Sequence, residues 1–117
     1  MNIEDFREYC LAKPGTTEEL PFDEDTLVFK VCGKMYALCS LSEYGKGIAL
    51  KCDPDEAVDL REQYAQIRPG YHMNKQHWNT VLPESGLPEQ LLLNLIDNSY
   101  KLVSAKLTKA QKLSIGL

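Results

Sequence analysis

Thr26-Leu27-Val28-Phe29-Lys30-Val31-Cys32-Gly33-Lys34-Met35-Tyr36-Ala37-Leu38-Cys39 is the stretch that decides how this chain folds. Two apolar runs, mixing β-branched and aromatic residues, flank a Cys-Gly pair. A two-residue loop of this kind closes a β-hairpin, because glycine accepts the left-handed backbone that the turn demands. With Cys32-Gly33 as the loop, Val31 should face Lys34, Phe29 should face Tyr36 and Leu27 should face Leu38. Those pairs would share one face, leaving Val28 and Ala37 on the other. The bulkier face needs a cover, and the sequence on both sides supplies helices.

Upstream, Asn2 stands as an N-cap, and Ile3, Phe6 and Cys10 follow at helical spacing with Tyr9 beside them. This is one apolar stripe of a short helix. Pro14-Gly15 ends it, since a residue before proline avoids the helical region. Residues 16–22 read as an edge strand limited by Pro21, which cannot donate to a ladder. Asp23-Glu24-Asp25 reads as a turn. Downstream, a loop leads to a strand over residues 47–52. Asp53-Pro54-Asp55-Glu56 then sets an aspartate at the N-cap, proline at the first helical position and glutamate at the third, a capping box in Asp form. Ala57, Leu60 and Tyr64 form the stripe of that second helix, and Pro69-Gly70 closes the segment. Residues 77–82 make the last strand, and Pro88 opens a long helix with Leu92, Leu95, Ile96, Leu102 and Val103 on one face and small Ser99 among them. The pattern predicts an α+β fold in the order α-β-β-β-β-α-β-α. It comprises an antiparallel sheet of about five strands with helices packed on one face, in a single domain over residues 1–117.

Composition narrows the function classes. The chain has 117 residues, 44% hydrophobic and 26% charged, with a net charge of −4, the balance of an ordinary soluble domain. Met1-Asn2-Ile3-Glu4-Asp5 carries no signal-peptide pattern, and no apolar run approaches the length of a membrane span. The expectation is a cytoplasmic protein without membrane association. Cys10, Cys32, Cys39 and Cys52 lie 22, 7 and 13 positions apart, so no CxxC pair marks a zinc or redox site. Reduced, buried thiols are expected in that compartment. Charge is distributed unevenly: residues 1–25 carry eight acids and two bases, whereas residues 63–117 carry three acids and six bases. A basic half steers anionic partners even under a negative total.

The candidate functional segment is Arg68-Pro69-Gly70-Tyr71-His72-Met73-Asn74-Lys75-Gln76-His77-Trp78-Asn79-Thr80-Val81. It holds both histidines, the only tryptophan, two cations and no acid, and it reads as an ordered loop feeding a strand. His72 and His77 are five positions apart and lack the convergent partners a metal site needs, so both read as polar residues bonding backbone. Trp78 reads as a core anchor, sharing an inward face with Thr80 and Leu82, with His77, Asn79 and Val81 opposite. No phosphate-binding glycine loop occurs. The residue types of a Ser-His-Asp or Cys-His site are present as in most chains, with only geometry able to promote them, so no catalytic residue, metal or cofactor is assigned. The acids Glu4, Asp5, Glu8, Glu18, Glu19, Asp23, Glu24 and Asp25 match no EF-hand spacing and read as a solvated surface, with metal binding there as the last alternative.

In their order along the chain, Pro14-Gly15, Val28-Phe29-Lys30-Val31-Cys32-Gly33-Lys34-Met35-Tyr36-Ala37, Leu50-Lys51-Cys52-Asp53-Pro54, Gly70-Tyr71-His72-Met73-Asn74-Lys75, His77-Trp78-Asn79-Thr80-Val81 and Ser99-Tyr100-Lys101-Leu102-Val103 resemble the YjbR/MmcQ family of small bacterial proteins. The resemblance covers nearly the whole chain. It implies a compact domain of frataxin-like (CyaY-like) topology and a "double wing" DNA-binding role. On that basis the expected function is a non-enzymatic DNA-binding domain. Its candidate contacts are Lys51, Arg68, Tyr71, His72, Asn74, Lys75, Gln76, His77 and Lys101, because cations meet phosphates while aromatic and amide side chains meet bases. The alternative is a protein-interaction or small-ligand module. A sequence pI near 5.1 argues against a protein that coats DNA and for local contact only.

Overall fold

The computed structural model describes residues 1–71 and 73–117. In chain order the elements are α1 (Ile3–Leu11), β1 (Thr16–Glu19), β2 (Thr26–Val31), β3 (Lys34–Ser40), a short 3-10 turn (Tyr44–Lys46), β4 (Ile48–Lys51), α2 (Pro54–Gln63), β5 (Ile67–Pro69), β6 (Trp78–Val81), α3 (Glu89–Ser104) and α4 (Lys109–Ser114). Among the described residues, six strands form one antiparallel sheet in the order β1-β2-β3-β4-β6-β5. The α+β class stands as expected. Two elements add to the expected order. β5 is three residues long and carries Pro69, too short and too proline-marked for an alternation pattern, and it survives only as an edge strand laid on β6. α4 starts at a separate cap, where the Thr108 hydroxyl accepts from the Gln111 N–H and the Gln111 side chain accepts from the Thr108 N–H. β1 stops at Glu19, short of the expected residue 22, ahead of Leu20 and Pro21.

The central hairpin turns at Cys32-Gly33, with φ of 47° and 79°. Val31 pairs with Lys34 as expected, but Lys30 pairs with Met35, Phe29 with Ala37, Val28 with Leu38 and Leu27 with Cys39. The expected pairs Phe29–Tyr36 and Leu27–Leu38 are therefore corrected. Tyr36 is the extra residue of a β-bulge, and its burial explains why. The ring lies fully inside, 5.2 Å from Tyr100 at 90°. Its hydroxyl donates to the Cys10 carbonyl at 3.2 Å and meets the Thr16 hydroxyl at 2.9 Å. Beyond the bulge, small Ala37 joins Phe29 on the covered face and Leu38 joins Val28 on the opposite face. Above Ala37, α3 approaches closely enough for Ser99 to donate to the Tyr36 carbonyl at 2.5 Å and accept from the Lys51 N–H at 2.8 Å.

One face of the sheet bears the core. Leu27, Phe29, Ala37, Cys39, Ile48, Leu50, Ile67 and Val81 join Phe6 and Cys10 of α1 and Leu92, Ile96, Tyr100 and Val103 of α3 in a single buried cluster, with Leu60 of α2 packed against it. Apolar area removed from water at this layer is the main stabilising term. Caps fix where helices begin: the Asn2 side chain accepts from the Asp5 N–H, and Asp53 accepts from the N–H groups of Asp55 and Glu56. Between α1 and α3, Tyr9 donates to Asp97 at 2.7 Å, and Lys13 pairs with the same carboxylate. Among the described residues no helix is long and apolar enough to cross a membrane.

Candidate functional site

Among the described residues no helix covers the other sheet face, although Val28 on it is buried. Register sets Glu19, Val28, Leu38, Ala49, Thr80 and Arg68 side by side in one row from β1 to β5. This row is apolar through its middle, acidic at the β1 end and cationic at the β5 end. Lys51 and Trp78, paired with each other in register, stand on the same face, two positions along from Ala49 and Thr80. The expected orientation of β6 is thus reversed. Asn79 and Val81 point to the helices, and Trp78 with Thr80 points away. Trp78 is nonetheless only 8% exposed. The chain leaving β5 comes back close to it, with the Gly70 N–H donating to the Trp78 carbonyl at 2.9 Å. A Cβ on Gly70 would lie 2.9 Å from the Trp78 Cβ and 2.8 Å from its carbonyl oxygen, so a side chain at residue 70 would push the loop away.

Gly70 delivers Tyr71 to the rim of this face. The Tyr71 N–H donates to the Thr80 hydroxyl at 3.3 Å, and the residue remains 74% exposed. Two adjoining hollows share Tyr71, Thr80 and Lys46. One is floored by Leu38 and Ala49 and edged by Ser40 and Glu43. The other runs beside Arg68, Pro69 and Leu82. Lys46 reaches the rim from the 3-10 turn, where it pairs with Glu43. That carboxylate, with a smaller contribution from the Tyr71 hydroxyl, holds the Lys46 ammonium above its ordinary range. Lys46 was absent from the sequence-based set. No motif marks it, and only the fold of the 40–47 loop sets it beside Tyr71.

The expected contact residues divide between three regions of the molecule. Arg68 and Tyr71 meet at the open face. Lys75 and Gln76 turn toward α2 instead, lining a hollow with Pro54, Asp55, Val58, Arg61 and Pro69. There the Lys75 ammonium donates to the Gly70 carbonyl at 3.3 Å, and its own carbonyl accepts from Arg61 at 3.0 Å. Asn74 is a turn former. Its side chain accepts from the Gln76 N–H, and its carbonyl accepts from the N–H groups of His77 and Trp78. The exposed His77 ties the turn to the sheet through its carbonyl, which accepts from the Cys52 N–H at 2.8 Å. Lys101 lies on α3, in the helical layer, where its charge helps lower the Asp97 pKa. His72 falls outside the described residues.

Acidic side chains beyond the Ser40 edge of the hollow serve the turn before β2. Asp23 accepts from Thr26 and Asp25, and Asp25 from Ser40 and Ser42. Those hydrogen bonds hold both carboxyls below the usual aspartate range. Among the described residues no three His, Cys, Asp or Glu side chains gather as a metal-binding group. Burial drives the thiols of Cys10 and Cys39 up to about 12 and that of Cys52 up to about 11, so these sulfurs are protonated and poor nucleophiles at neutral pH.

A hairpin with a buried bulge, a capped second helix and an open face rimmed from two loops is what this sequence builds, and its relatives can be compared on that basis. The YjbR family model matches residues 11–102. The chain belongs to the YjbR family. It is 35% identical over 101 residues to "Uncharacterized protein YjbR" of Escherichia coli K12, covering 86% of each chain. It is 42% identical over 89 residues to "Uncharacterized protein YbdF" of Escherichia coli O157:H7, covering 76% of this chain and 73% of that one. Among solved structures, a Deinococcus radiodurans protein, DR2400, described by the domain DUF419, superposes with a TM-score of 0.90 at 42% identity over 99% of this chain and 88% of its own. A Pseudomonas syringae protein superposes at 0.75 and 33% identity, over 88% of this chain and 99% of its own. The fold of this chain is therefore shared with the Deinococcus radiodurans and Pseudomonas syringae proteins.

Proposed function

We propose that this YjbR-family protein is a cytoplasmic, non-enzymatic binding domain that takes nucleic acid on its open sheet face. Tyr71 carries the reading: an aromatic residue 74% exposed, set between Lys46 and Arg68 around adjoining hollows. A base or sugar packed on an exposed aromatic ring removes apolar surface from water, and neighbouring cations supply the phosphate contacts that dominate nucleic-acid affinity. Lys51 on the same face adds charge. The frataxin-like (CyaY-like) topology implied by the sequence resemblance belongs to the same proposal. The Lys75–Gln76 hollow lies apart and is not needed for this contact.

The test is a salt titration of binding by fluorescence anisotropy with labelled oligonucleotides. If Lys46 and Arg68 each meet one phosphate of a single strand, log K should fall with log salt at a slope of about −1.4. Arg68→Glu should weaken binding to every sequence and flatten the slope by about 0.7. Saturable binding that is lost in salt supports the proposal. Absence of saturable binding at low salt by a protein shown folded by circular dichroism would remove it.

A further inference from the structure

We infer that the hollow between Tyr71 and the sheet takes one unstacked nucleobase together with its own phosphate, so that the protein selects unpaired nucleotides over duplex. This rests on the nucleic-acid reading and narrows it. Three features of the open face lead there. Leu38 and Ala49, neighbours in the sheet register, give the hollow an apolar lining, while Ser40, Glu43 and Thr80 add polar groups to it. Tyr71 stands at the edge of that lining, against Thr80, with most of its surface exposed. A base inside a duplex has both faces occupied by its neighbours, whereas an unpaired base offers its faces to an aromatic side chain.

Charge sets the direction of the phosphate. In the row across the sheet, Glu19 marks the β1 end and Arg68 the β5 end. The Asp25 carboxylate bonded to Ser40 lies beyond the Ser40 edge of the hollow, whereas Glu43 pairs with Lys46 at the cationic rim. A nucleotide therefore docks with its ring over Leu38 and Ala49 and its phosphate toward Lys46 and Arg68. Duplex DNA, with two ridges of phosphates, would carry its second ridge toward the Asp25 carboxylate, and like charges repel there. Glu43 already holds Lys46, so the incoming phosphate replaces that carboxylate as the partner of the ammonium. Glu43 thereby tunes affinity without touching the base.

The same chemistry is offered by a free mononucleotide and by a single strand, and the experiment separates them. Anisotropy is measured with a labelled oligothymidylate, with a duplex of mixed sequence, and with thymidine monophosphate as competitor, on the wild type and on Tyr71→Ala, Tyr71→Phe and Glu43→Gln, each checked for folding by circular dichroism. The single strand should bind tighter than the duplex by about tenfold, and Tyr71→Ala should cost about tenfold on the single strand alone. Tyr71→Phe should retain most of the affinity, and Glu43→Gln should tighten binding. Competition by the monophosphate as strong, per nucleotide, as that by unlabelled strand identifies a nucleotide pocket; binding of the strand with weak competition identifies a strand-binding groove. Both carry the inference. Equal binding of strand and duplex, with Tyr71→Ala affecting neither or both alike, overturns it and leaves the nucleic-acid proposal standing. Binding of neither the strand nor the duplex overturns both.

Discussion

At Asn79 the sheet places an amide where an apolar side chain would be expected, facing α2 and only 2% exposed. Its Nδ2 reaches the Ala57 carbonyl at 3.4 Å, while its Oδ1 has no partner among the described residues. A buried acceptor without a donor costs stability, and the adjoining space is bounded by Leu50, Leu60, Ile67, Val81 and Leu95. Asn79→Leu should therefore leave the thermal midpoint unchanged or raise it. A loss above about 2 kcal/mol in equilibrium denaturation would show that the amide is satisfied by something the protein depends on. Asp53 tests the opposite case. Its carboxylate accepts from two N–H groups at the start of α2, and Asp53→Ala should cost about 1 kcal/mol. The Asp53 cap could be recognised in the sequence because capping is local chemistry between neighbours. The direction of Asn79 could not, because alternation in β6 fixes two faces without saying which one the helices cover. A large Trp78 argued for the wrong one, yet the residue stays only 8% exposed on the open side.

Among elements, the α1–α3 contact makes a pH prediction. Burial alone would raise the Asp97 pKa, but hydrogen bonds from Lys13 and Tyr9 and the charge of Lys13 outweigh it, so the folded value lies below the ordinary 3.8. A carboxyl lowered on folding contributes stability above its unfolded value and loses it as pH falls through the folded one. Asp97→Asn should lower the midpoint at neutral pH and lose less stability than the wild type on acidification below about pH 4. Parallel acid curves for the two proteins would remove this contact from the stability of the fold. Helix positions and the hairpin turn were readable from spacing, capping residues and Cys32-Gly33. The bulge at Tyr36 was not, since its cause is a tertiary cavity lined by Cys10, Thr16 and Tyr100 that no window of local sequence contains. β5 escaped for a similar reason, its three residues being held as a strand by β6 rather than by their own propensity.

For the whole molecule, the fold and the site differ in how far the sequence reveals them. Arg68 and Tyr71 were readable as a charged and aromatic surface because they are close in sequence. Lys46 joins them only when the loop after β3 folds over, and Lys75 and Lys101 leave them when the chain turns toward α2 and the helical layer. All four cysteines are free, so the thermal midpoint should be the same with and without reductant, and thiol titration of the unfolded chain should find four groups. A midpoint that drops on reduction would show a structural disulfide. The central claim is that one face of this sheet is the working surface. Amide chemical-shift mapping during titration with a single-stranded oligonucleotide tests it most directly. Shifts should concentrate on Leu38, Lys46, Ala49, Arg68, Tyr71 and Thr80 and spare α1 and α3. Shifts gathered on the helical layer, or around Arg61, Lys75 and Gln76 with the open face silent, would contradict it.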